Sequence, residues 1–87
     1  MEVKIEPHTL ERAEERGADI TEIEDVLLNG IPLPAKSGRQ MKAKVYPFNQ
    51  QRLGKFYKEK RIEVIYVIEE NKLVTVTVYV FYGEWKD

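Results

Sequence analysis

The strongest constraint on this chain is a change of hydrophobic period partway along it. In the last third, Val74, Val76, Val78 and Val80 alternate with Thr75, Thr77, Tyr79 and Phe81. A period of two is the signature of a strand with two unlike faces. The same period fits Lys42–Phe48, Leu53–Lys58 and Arg61–Glu69. The expected turns lie at Asn49-Gln50-Gln51, Glu59-Lys60 and Glu70-Asn71. Before residue 31 the spacing is helical instead.

Pro7 suits a first helical position, Thr9 to Arg16 carries good helix formers, and Gly17 suits a left-handed C-cap. A second helix is predicted from a capping box, Thr21 with Glu24, and a stripe of Ile23, Val26 and Leu27 that runs to Asn29-Gly30. Val3 and Ile5 read as a short edge strand. Residues 31–41, with Pro32, Pro34, Ser37 and Gly38, read as a loop. With 87 residues the chain has room for a single domain, residues 1–87. The expected class is α+β, two N-terminal helices packed on a four-stranded antiparallel sheet. The valine face would meet the helices, and the Thr/Tyr/Phe face would stay open.

Composition narrows the chemistry. There is no cysteine and one histidine, which excludes a disulfide scaffold and a thiolate metal site. The acidic residues are too scattered for a magnesium site, and no phosphate-binding or dinucleotide glycine motif is present. No metal or cofactor is therefore expected. No apolar run is long enough to span a membrane, and a cytoplasmic protein is the expectation.

The net charge of −1 conceals an asymmetry. Residues 1–30 sum to −6, residues 31–61 to +8, and residues 62–87 to −3. The basic block, with Lys42, Lys44, Tyr46, Phe48, Arg52, Phe56, Tyr57 and Lys58, interleaves cations and aromatic rings. Such a block suits RNA, with cations on phosphates and rings on unpaired bases. It equally suits core aromatics with lysine tips reaching water. His8, Arg12 and Arg16 lie four residues apart and stack along one side of the first helix. They read either as an anion-binding stripe or as surface ion pairs with Glu15 and Asp19. Near the helix N-terminus the dipole disfavours the imidazolium, so His8 is a candidate general base.

His8-x-x-x-Arg12-x-x-x-Arg16-Gly17, the helix ending Asn29-Gly30, Lys60-x-Ile62-x-Val64-x-Tyr66, Leu73 to Thr77 and Tyr82-Gly83 together resemble a known family. It comprises the small prokaryotic domains of unknown function 4258, and the likeness covers nearly the whole chain. That family is similar to ribonuclease toxins of the barnase/RelE type. The resemblance implies metal-independent RNA cleavage at the open sheet face, with Thr77 and Tyr79 as matched last-strand positions. In such a toxin His8 would act as base or acid, and Arg12 and Arg16 would stabilise the phosphate. Tyr79 would supply a second proton-transfer group and Lys58 further charge. The expected partners are RNA and a small acidic antitoxin.

The family pattern also implies a basic residue in the last strand, where this chain has Tyr79 and Phe81. That departure favours a non-catalytic module binding RNA or an acidic partner. A third reading makes the open face a homo-oligomer interface.

Overall fold

The computed structural model describes residues 2–85. In chain order the elements are β1 (Glu2–Lys4), α1 (Pro7–Arg16), α2 (Ile20–Asn29), β2 (Ile31–Leu33), β3 (Gln40–Arg52), β4 (Lys55–Glu69) and β5 (Lys72–Gly83). The five strands form one mixed sheet in the order β1-β5-β4-β3-β2, and both helices pack on one face. β1 runs parallel to β5, and the other pairs are antiparallel. The α+β class holds, but the four-stranded antiparallel expectation does not. β2 falls inside the predicted loop, and β1 adds the parallel pair.

The central strands also merge. Lys55–Glu69 is one strand with no break at Glu59-Lys60. Asn49-Gln50-Gln51 is an irregularity within β3, not a turn: an extra residue there shifts the pairing between Pro47 and Gln50. The reversal comes at Leu53-Gly54, both at positive φ (52° and 83°), between the paired Arg52 and Lys55. That is the two-residue hairpin turn whose backbone twist matches the strands. Glu70-Asn71 makes the second such turn, as expected from sequence.

A further irregularity sets the faces of β5. Tyr66 pairs with Thr75 while Ile65 pairs with Thr77, so Val76 is an extra residue in β5. One inserted residue reverses the alternation. Leu73 and Thr75 face the helices before the bulge and Val78 after it, whereas the sequence pattern assigned the whole valine series to that face. The core joins Ile23, Val26 and Leu27 of α2 to Ile62, Val64, Tyr66 and Val78 of the sheet.

The two helices are held differently. The N-terminus of α2 is closed by Asp19 and Glu22, which cap each other's backbone N–H groups, rather than by Thr21 and Glu24. α2 then contributes the large apolar side chains. α1 buries only Thr9 and Ala13, too little apolar surface to fix a ten-residue helix. Polar contacts hold it instead. Thr75, turned inward by the bulge, accepts from the Glu6 N–H and donates to the Thr9 hydroxyl, both at 3.0 Å. The Tyr82 hydroxyl donates to the Arg16 carbonyl at 2.6 Å. Gly17 is required twice over here: its φ is 95°, and a Cβ would fall 2.1 Å from the Tyr82 hydroxyl.

Lys60 sits at the junction of the helices, 9% exposed. Its Nζ donates to the Gly17 carbonyl at 2.8 Å and pairs with Glu22 at 2.9 Å. One cation thus satisfies the end of α1 and the cap of α2. At the far end, the Trp85 N–H donates to Glu59 at 2.6 Å, which ties the C-terminal segment to β4. Because Lys60 and Glu22 are largely out of water, Lys60→Ala is expected to cost about 3 kcal/mol in urea unfolding. The exposed Lys58→Ala should cost less than about 0.5 kcal/mol.

Candidate functional site

The basic block divides into three groups. Lys42, Lys44 and Tyr46 share one face of β3, as alternation predicts, but that face meets α2. Lys42 Nζ donates to the Leu27 carbonyl at 2.8 Å. Lys44 Nζ and the Tyr46 hydroxyl both reach Asp25 Oδ2 at 2.6 Å. Part of the sequence asymmetry is therefore intramolecular: Lys44 and Lys60 of the strands pair with Asp25 and Glu22 of α2.

The cluster has clear electrostatic consequences. Hydrogen bonds from Lys44, then Tyr46 and Asn29, hold the Asp25 carboxyl well below the usual carboxylate range. Burial, and then the bond to Asp25, push the Tyr46 phenol well above its ordinary value. Arg52 and Lys58 form the second group, towards the β3–β4 turn. Arg52 donates to the Glu15 carbonyl at 3.0 Å and lies over the Tyr82 ring, while Lys58 pairs with Glu84 at 3.7 Å.

The third group lies across the sheet face turned away from the helices. Three registered rows make up its centre: Met41, Ile65 and Thr77; Ala43, Glu63 and Tyr79; Val45, Arg61 and Phe81. Tyr79 and Phe81 are 42% and 46% exposed and stack with ring centroids 6.4 Å apart. Beside them a groove of about 460 Å³ has Met41, Ile65, Thr77 and Tyr79 as its sheet floor. The segment from Pro34 to Arg39 walls it, with Lys36, Ser37 and Arg39 lining the groove. Arg61 lies next to Phe81 and pairs with Glu63 at 3.1 Å.

α1 closes this face along the edge of β5. His8 Nε2 lies 2.7 Å from the Val76 carbonyl. A carbonyl only accepts, so Nε2 is the donor of this bond. Arg16 donates to the Val78 carbonyl at 2.6 Å, and its guanidinium carbon lies 5.2 Å from the Tyr79 ring centroid. The fold thus brings His8, Arg16, Thr77 and Tyr79 to one stretch of β5. It leaves Arg12 apart, exposed and paired with Glu15 at 3.1 Å. Lys36, Arg39 and Arg61 join the face although sequence reasoning did not single them out as site residues. They carried a signal only as members of the basic block, because their neighbours come from strand pairing.

Comparison with known proteins gives a family match and nothing nearer. The model of the family described as Domain of unknown function (DUF4258) matches residues 5–80. No curated protein and no solved structure matches the chain.

Two expectations follow. Arg16→Ala removes a charged donor from a strand carbonyl and should cost about 1.5 kcal/mol. Hydrogen exchange should then quicken in α1 more than in α2. Because the folded Asp25 carboxyl titrates below its ordinary 3.8, its stabilising contribution is complete above about pH 5 and falls away as pH drops below 4. Asp25→Asn should flatten that acid limb of the stability profile, followed by circular dichroism.

Proposed function

The chain belongs to the DUF4258 family of unknown function, and from that premise we propose that it is a non-catalytic module binding single-stranded RNA across the outer sheet face. The observation that carries this reading is the exposed Tyr79–Phe81 stack with the Arg16 guanidinium against the Tyr79 ring. Aromatic faces held on a rigid sheet offer platforms for unpaired bases, at about 1–3 kcal/mol per stacked base. Lys36 and Arg39 beside the adjoining groove suit phosphates, and Arg16 adds charge at the strand edge. Thr77 on the groove floor adds a hydroxyl for a base edge or a ribose. Lys42, Lys44 and Tyr46 take no part in this reading, because their polar ends are engaged by α2.

A second reading is favoured by the geometry of His8. Its Nε2 is held on the carbonyl of Val76, the residue before Thr77, and a neutral ring in that pose would leave Nδ1 free to act as a base. In that reading the protein is a cytoplasmic, metal-independent ribonuclease of the barnase/RelE type, the toxin of a toxin–antitoxin pair with a small acidic partner. Binding is preferred because Arg12 lies apart against Glu15, and because the last strand carries Tyr79 and Phe81 where the family resemblance implies a basic residue. The three side chains are thus not gathered around one phosphate.

Fluorescence anisotropy with a labelled mixed-sequence single-stranded RNA separates these readings. Binding should weaken steeply with salt, as counterion release requires. Tyr79→Ala should weaken it roughly tenfold, in keeping with one lost stacking contact, and Lys42→Gln should leave it unchanged. Absent or salt-insensitive binding would contradict the proposal. Cleavage that persists with a chelator and disappears in His8→Ala would install the second reading in its place.

A further inference from the structure

The β3–β4 turn contains a residue that serves the fold badly. Leu53 holds φ at 52°, a conformation that favours Asn, Asp or Gly at this turn position, and its side chain is 96% exposed. It therefore combines a strained backbone with apolar surface left in water. Strain of this kind persists where the surroundings enforce it, and it points from the outlier towards a role.

The surroundings indicate the partner. Residues 49–58 carry Arg52, Lys55 and Lys58 and no acid, and of these cations Lys58 alone meets a carboxylate among the described residues, that of Glu84 at 3.7 Å. Arg52 and Lys55 fold back over the Tyr82 and Tyr57 rings at 4.9 and 5.6 Å, which stiffens the hairpin beneath its tip. Phe56 is 53% exposed beside them. The result is a two-stranded ribbon with a basic collar and an exposed apolar tip.

We infer that the tip is a nucleic-acid wedge: Leu53 inserts beside a base and unstacks it, while the collar holds the flanking phosphates. Apolar side chains flanked by cations part neighbouring bases in this way in other nucleic-acid complexes. The inference rests on the RNA-binding reading of the outer face and adds a second contact to it. β4 continues from Ile65 beside the groove to Lys55 at the turn, so the two contacts lie about 33 Å apart along one strand. The RNA would follow the long axis of the sheet.

The test uses the whole chain, a single-stranded RNA carrying 2-aminopurine, and the variants Leu53→Asn and Leu53→Gly. Both substitutions suit the turn, so the melting temperature should hold or rise, by about 4 °C for Asn. Wild-type protein should raise 2-aminopurine fluorescence on binding, and both variants should lose that rise and bind about fivefold more weakly. Variants that match the wild type in both readouts would overturn the wedge while leaving the outer-face site intact. No binding by the wild type would overturn both. Anionic vesicles serve as a control: if Leu53 governs binding to phosphatidylglycerol vesicles and not to RNA, the tip is a membrane contact and the wedge is wrong.

Discussion

One inserted residue, Val76 in β5, governs the arrangement of the site. The bulge turns Thr75 into the protein, where its hydroxyl must be satisfied, and the Glu6 N–H and Thr9 hydroxyl satisfy it. That pins the start of α1 to β5. The carbonyls of Val76 and Val78 then receive His8 and Arg16 from the same helix. A short helix with little apolar surface of its own is held by a row of polar contacts along a strand edge. The same contacts cover carbonyls that an open edge would present for pairing with another chain.

Charge plays a related part on the other helix. Lys60 joins the end of α1 to the cap of α2, and Lys44 with Tyr46 grips Asp25. Three cations of the basic block, Lys42, Lys44 and Lys60, thus serve to seat the helical layer. The opposite face keeps a smaller set, Arg16, Lys36 and Arg39, around an exposed aromatic pair, while Arg61 there is paired with Glu63. A near-neutral protein can in this way present a locally basic surface.

The legible parts of the sequence were those written in local pattern. Pro7 and Gly17 bound α1, the Ile23/Val26/Leu27 stripe marked the buried side of α2, and period two announced the sheet. Three features depended on pairing and were hidden. The merger of two predicted strands into β4 was obscured because Glu59 and Lys60 look like turn residues, yet one bonds Trp85 and the other the helix junction. The Leu53-Gly54 turn was obscured by a leucine in a position where Asn or Gly is usual. The Val76 bulge lay within an unbroken valine and threonine alternation, where no local signal says which residue is extra. At the site, the spacing of His8 and Arg16 was visible, but their carbonyl partners and the separation of Arg12 follow only from how the helix docks.

Chemical-shift mapping by NMR, with a single-stranded RNA titrated into the labelled protein, locates the face that RNA occupies. The amides of Thr77, Tyr79, Phe81 and Arg39 should move progressively to saturation while those of α2 hold still. Movement centred on α2 and on Lys42 and Lys44, or no movement on the outer face at all, would contradict the proposed outer-face site.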